Sequence, residues 1–366
     1  MDLRDSPEQA RFRADLRAWL AATDPDVEAR EWGTRLHEAG YAGLTWPVAH
    51  GGRGLTPAHQ GIFAEECALA GVPDHPNVIG LNMVGPTLIR FGSAEQQRQL
   101  SRILSGERLF CQGFSEPAAG SDLAAIETRA VASAGGYRVT GEKLWSSYAP
   151  QAHYCLLLAR TDPTAERHSG LTCFLLDVQT PGVTVRPLKM ITGETGFGQI
   201  LLDNVWLSDA DVVGEPGAGW KVALTTLAHE RGTFGITLTA RLAVQFGRLV
   251  ETVRDVGRAD DPRVRQTLGR LAIDLEGLRQ TGYRALSTLE KRGVPGPEST
   301  VLKLRWSQVH QRLCAYAAEL ARRHPSWSAY WQRQRLRSRG NSIEGGTSEI
   351  LRGIIAEHVA GLPRSR

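Results

Sequence analysis

Across residues 1–108 the apolar positions recur at helical spacing. Ser6 can cap the first run, Pro7 fits the first helical position, and Gln9 completes a capping box. Phe12, Leu16, Trp19 and Leu20 then fall on one face. The stretch AGYAGLTWPVAHGGRGLTP interrupts this spacing with Gly and Pro and reads as a loop. Helical spacing resumes in PAHQGIFAEECALAG and continues through EQQRQLSRILSGE. At Leu109 the pattern changes. GYRVTGEKLWSS, HYCLLLART, GLTCFLLDV, VTVRPLKM and GQILLDNVWL are short, rich in β-branched and aromatic residues, and divided by Gly, Pro and Asp, which predicts antiparallel strands of a sandwich or barrel. From GAGWKVALTTLAHERG onward the helical period returns. LGRLAIDLEGLRQTGYRAL and VLKLRWSQVHQRLCAYAAELA form two long amphipathic helices with a turn at RGVPGPE. The predicted class is α+β: an N-terminal α-helical domain (1–108), a β-domain (109–215) and a C-terminal α-helical domain (216–366). The pattern contains no βαβ alternation, so a Rossmann dinucleotide fold is not expected.

Composition narrows the function without naming it. A chain of 366 residues suits two or three domains, and 42% hydrophobic with 22% charged residues is ordinary for a soluble globular protein. A net charge of +4 is too mild for a nucleic-acid footprint and is compatible with an anionic small ligand. Arg322, Arg323, Arg333, Arg335, Arg337 and Arg339 crowd one stretch, which reads as a solvated helix face in preference to a phosphate site. Cys67, Cys111, Cys155, Cys173 and Cys314 form no CxxC and have mostly apolar neighbours, as reduced thiols of a cytoplasmic protein would. No His/Cys cluster has zinc spacing, so no metal is expected. The charged N-terminus does not read as a secretory leader, and no apolar run reaches membrane-spanning length.

Several motif fragments fail. GEPGAGW lacks the third glycine of a dinucleotide turn, and HERGT has Thr233 where a zinc-binding motif needs its second histidine. Aromatics interleaved with basic residues on strands are missing, which argues against nucleic acid. Two stretches hold. CQGFSEPAAGSD (Cys111 to Asp122) supplies Gly120 and the hydroxyls of Ser115 and Ser121, suited to bringing backbone N–H and O–H groups close to a planar polar ring; by itself it also reads as an ordinary turn. In GEKLWSSYA, Trp145 can cover a flat cofactor and Ser146 or Ser147 can hydrogen-bond its edge; taken alone, such a Trp is more often core.

GFSEPAAGSD, TGEKLWSSYA, DNVWLSDADVVGEPGAGWKVALTTLAHERG and the terminal GGTSEILRGIIAEHVAGLPR together resemble the acyl-CoA dehydrogenase family over essentially the whole chain. The resemblance implies three domains, helical, β and helical. It also implies FAD and the oxidation of an acyl-CoA thioester to the trans-2-enoyl thioester, with electrons passed to an electron-transfer flavoprotein. By position, Phe114 and Ser115 are expected to meet the isoalloxazine, Trp145 to cover it and Ser147 to reach its edge. Thr347 and Glu349 are expected near FAD, and Ser121 on the CoA side of the thioester.

In much of this family the base that removes the α-proton is the glutamate of a YEGT run, and the matching stretch here is EGGT. Aligned on Thr347, that glutamate is replaced by Gly345, and Glu344 falls one residue early, rotated by about 100° if the segment is helical. Other members place the base on the first long C-terminal helix, before an arginine that approaches CoA; here those residues are Glu230 and Arg231. Glu230 is therefore the expected base, with Glu344 or no working base as the alternatives. The Gly345 N–H is expected to bind the thioester carbonyl, as a preorganised donor at an enolate-like transition state. The Arg-x-x-Phe-Gly run that binds FAD pyrophosphate across an interface in homotetrameric members does not appear in the corresponding region here, VETVRDVGRADDPRVRQTLGRL, although Arg258, Arg263 and Arg265 lie in it. Either a homo-oligomer uses another arginine, or a second acyl-CoA dehydrogenase-like chain completes a heterotetramer. Two other readings stay open: a half-catalytic subunit, and a flavin enzyme acting on a carrier-protein-bound acyl group. The acyl group itself is not legible.

Overall fold

A computed structural model describes residues 4–363, with residues 230–234 described in backbone only. The helices are α1 (Pro7–Ala21), α2 (Ala29–Glu38), α3 (Pro57–Ala70), α4 (Gly85–Phe91), α5 (Ala94–Gln97), α6 (Gln99–Leu104), α7 (Gly219–Asp255), α8 (Pro262–Arg292), α9 (Glu298–Leu320), α10 (Ser328–Arg337) and α11 (Ser348–His358). Between α6 and α7 lie β1 (Phe110–Gly113), β2 (Arg129–Ser133), β3 (Gly136–Ser147), β4 (Tyr154–Arg160), β5 (Leu171–Asp177), β6 (Val183–Leu188), β7 (Phe197–Ser208) and β8 (Val212–Val213). The expected order of helices, strands and helices is the observed one. By packing, the chain falls into two compact units: one comprises 1–26, 56–72 and 231–366, the other 27–55 and 73–230.

The β-containing unit is built on one sheet in the order β6-β7-β3-β2-β4-β5-β8, with β1 added beside β4. Pairing is antiparallel except that β1 runs parallel to β4 and β2 touches β4 in parallel at one residue pair. Alternation along the two longest strands, β3 and β7, buries Val139, Ile200, Leu202 and Val205 in a core shared with Leu157 and Phe174. Trp46, in the loop broken by Gly and Pro, is buried and donates its indole N–H to the Leu81 carbonyl at 3.1 Å.

The helical unit has its own core, in which Leu242, Leu249, Leu313, Trp306 and Trp331 are buried. Both indoles find acceptors: Trp306 donates to the Leu238 carbonyl at 3.1 Å and Trp331 to the Thr252 hydroxyl at 2.9 Å, as buried tryptophans generally require. The capping box at Ser6 and Gln9 forms as predicted. Arg13 and Arg17 of α1 tie α3 through the buried Glu66 carboxylate, at 2.6 and 2.7 Å. Among the described residues, no helix is long and apolar enough to cross a membrane, and no cluster of His, Cys, Asp and Glu could hold a metal ion.

Candidate flavin and thioester site

The two stretches singled out in the β-domain meet. β1 delivers the chain into the loop Phe114–Asp122, and β3 carries Lys143 to Ser147 alongside it. The N–H of Leu144 donates to the Ser115 carbonyl at 2.9 Å, stitching loop to strand. Between Lys143 and Ser146 the β3–β7 register slips: Lys143 faces Ile200 and Ser146 faces Gly198, so Leu144 and Trp145 together oppose one residue. This is a β-bulge, which bends a strand and re-aims a side chain. Trp145 adopts φ 62° within it and is 59% exposed, with Phe197 edge-on at 6.2 Å. A non-glycine residue in that conformation costs roughly 1–3 kcal/mol, a strain that collects at functional sites. The indole is thus a presented surface, which sets aside the reading of Trp145 as core.

The remaining β-domain residues divide by exposure. Phe114 is buried, and its carbonyl accepts from the Lys143 ammonium at 3.1 Å. Ser115 and Ser147 are half-buried and Ser121 is exposed. Ser146 is buried, and its hydroxyl has no partner among the described residues. A buried unpaired hydroxyl beside a presented indole fits a bound ring with polar edges, so these residues suit the isoalloxazine of FAD.

Sequence reasoning passed over the pair Glu116 and Lys143, which sit inside the same two motifs. Lys143 is fully buried and meets Glu116 at 2.7 Å. Burial acts to raise the Glu116 carboxyl, but the Lys143 charge, with the hydrogen bonds from Lys143, Thr128 and Glu127, holds it below the usual carboxylate range. Burial pushes the Lys143 ammonium down against the Glu116 charge that supports it. The signal was present: each of the two motifs carries one residue of an oppositely charged pair, Glu116 in GFSEPAAGSD and Lys143 in TGEKLWSSYA.

In the helical unit, Gly345 and Gly346 have φ 60° and 97°, the left-handed region that disfavours side chains. The half-buried Glu344 is held in a two-pronged ion pair by Arg337, at 3.1 and 2.9 Å. Thr347 caps α11, its hydroxyl accepting from the Ile350 N–H at 3.2 Å, while Glu349 is exposed and pairs with Arg352 at 3.4 Å. The loop is clamped by α9, another feature that sequence reasoning missed. The Lys303 ammonium donates to the carbonyls of Asn341 at 2.7 Å and Gly346 at 2.8 Å, and the Ser307 hydroxyl also reaches Asn341. The side chains of Glu230 and Arg231 lie outside the described residues. Arg258, near the missing pyrophosphate-binding run, is engaged by Asp261.

Family models agree with this arrangement. The acyl-CoA dehydrogenase N-terminal domain matches residues 6–107, the middle domain 111–205 and the C-terminal domain 217–360. The chain is 40% identical to acyl-CoA dehydrogenase IpdE1 of Mycobacterium tuberculosis, over 96% of this chain and 97% of that protein. The solved Tcur3481-Tcur3483 steroid ACAD is 30% identical with a TM-score of 0.89, covering 100% of both chains. The ChsE4-ChsE5 complex from Mycobacterium tuberculosis is 28% identical with a TM-score of 0.87, again over 100% of both chains. By sequence and by fold, the chain belongs to the acyl-CoA dehydrogenase family, as an FAD-dependent oxidoreductase.

Proposed function

We propose that this enzyme dehydrogenates an acyl-CoA thioester between Cα and Cβ, giving the trans-2-enoyl-CoA, and that its electrons pass to an electron-transfer flavoprotein. The observation that carries the choice of base is the Arg337–Glu344 ion pair, which engages the carboxylate nearest the usual base position, next to a left-handed Gly345. The base assigned is Glu230, which takes the α-proton. The Gly345 N–H donates to the thioester carbonyl, Arg231 faces CoA, and Ser121 lies on the CoA side. Phe114, Ser115, Trp145 and Ser147 hold the flavin from the β-domain, with Thr347 and Glu349 as further contacts. The domains are assigned to 1–108, 109–215 and 216–366. Glu230→Gln tests the base: turnover of acyl-CoA should fall by about three orders of magnitude, as for loss of a general base with its share of electrostatic help, while flavin stays bound. Retained turnover would reject Glu230.

We further propose a steroid-derived acyl group and a mixed oligomer with a second acyl-CoA dehydrogenase-like chain. Support comes from the similarity to the Tcur3481-Tcur3483 steroid ACAD and the ChsE4-ChsE5 complex. It comes also from the lack of an Arg-x-x-Phe-Gly run in the region 250–271 and from the pairing of Arg258 with Asp261.

A further inference from the structure

Ser115 and the bulge at Trp145 are joined by a side-chain link as well as by the hydrogen bond from the Leu144 N–H to the Ser115 carbonyl. The Lys143 ammonium donates to Glu116 Oε1 at 2.7 Å and to the Phe114 carbonyl at 3.1 Å, so it grips the residues on both sides of Ser115. Glu116 is anchored in turn: Oε1 accepts from the Thr128 N–H at 2.9 Å and Oε2 from the Glu127 N–H at 2.6 Å. Glu116 and Ala119 exchange backbone hydrogen bonds across the turn, at 3.1 and 3.2 Å. Leu144 and Trp145, the bulged residues, follow Lys143 directly. One side chain therefore links the loop carrying Ser115 to the strand carrying Trp145, Ser146 and Ser147.

An apolar pair of similar volume would fill the same space without the desolvation cost of two buried charges. It would leave the buried Phe114 carbonyl and Thr128 N–H, and the part-buried Glu127 N–H, without these partners. We propose that Glu116 and Lys143 are positioning residues for the flavin: their buried ion pair sets the spacing between Ser115 and the Trp145–Ser147 segment, so that both meet one ring. The inference rests on the reading of those residues as flavin contacts. Neither Glu116 nor Lys143 is assigned a contact with the flavin or the substrate, so neither is a catalytic residue.

The test uses the assembled oligomer and compares wild type with the apolar double variant Glu116→Leu/Lys143→Met and with Glu116→Gln. Far-UV circular dichroism and thermal melting report the fold. FAD titration, the visible flavin band and the separate values of kcat and KM report placement. The double variant, whose charges are removed together, should fold and bind FAD at least about tenfold more weakly, with a displaced flavin band and reduced kcat. Glu116→Gln, which keeps the shape and one oxygen acceptor, should retain FAD but shift the band in the same direction; it carries the test if the double variant does not fold. A lowered melting temperature with unchanged FAD affinity, band and kcat would mark the pair as structural only and overturn the proposal. A wild-type oligomer that binds no FAD would instead reject the assignment of these residues to flavin.

Discussion

At Trp145 a single backbone torsion accompanies the exposure of a large aromatic side chain. Its φ of 62° is unfavourable for an L side chain, and its 59% exposure means that little burial offsets the strain. Trp145→Gly should therefore leave the apoprotein within about 1 kcal/mol of wild type, since glycine relieves the left-handed strain but adds freedom to the unfolded chain. FAD binding should fall by about tenfold or more as the stacking surface is lost. Chemical denaturation of apoprotein beside FAD titration checks both halves. A stability loss of several kcal/mol would mean that the indole packs as core. At this scale the sequence was partly legible: the type of residue at 145 suggested a ring cover, but the bulge depends on register against β7, which lies more than fifty residues away.

At the scale of elements, α9 and the loop that follows α10 act as one piece. The Asn341 amide and His310 Nδ1 share a hydrogen bond at 2.6 Å. Burial, with the charge of Arg337 adding to it, pushes His310 from its ordinary 6.5 down to about 4. The unfolded chain thus takes up a proton below about 6.5 that the folded chain refuses until about 4, so stability is lost as pH falls through that window and levels off below it. The full loss is of order 3 kcal/mol, of which most should develop by about pH 5. Urea unfolding at pH 7 and pH 5 should show a steeper acid loss for wild type than for His310→Gln; equal slopes would remove His310 as the cause. The helix carrying His310 was legible from its period. The clamp was not, because Lys303, Ser307 and His310 contact main-chain carbonyls and an amide more than thirty residues ahead, and periodicity carries no information about such partners.

For the whole molecule, the succession of helices, strands and long helices was readable because each long element buries one face of a regular period. β1, four residues long, and β2, with the composition RAVAS, offered too few β-branched or aromatic positions to stand out. Packing groups α1 and α3 with the C-terminal helices, a partition that chain order does not announce. The basic stretch ending at Arg339 also contains a specific pairing, Arg337 with Glu344, inside what composition reads as a solvated face. Assembly gives the prediction proper to this scale. On the mixed oligomer proposed above, the chain purified alone should carry well under one FAD per subunit by visible absorbance, and co-expression with a second acyl-CoA dehydrogenase-like chain should restore the yellow complex. A full flavin spectrum from the chain alone would establish a homo-oligomer with a pyrophosphate contact of its own.

The left-handed turn at Gly345 also bears on which substitutions the chain can accept. One nucleotide change converts some glycine codons to glutamate, so a carboxylate at position 345 lies a single mutation away. The backbone at φ 60° resists it, because a side chain there adds roughly 1–2 kcal/mol before any chemistry is gained. Mutation can reach a carboxylate at 345 in one step, but the folded loop penalises it.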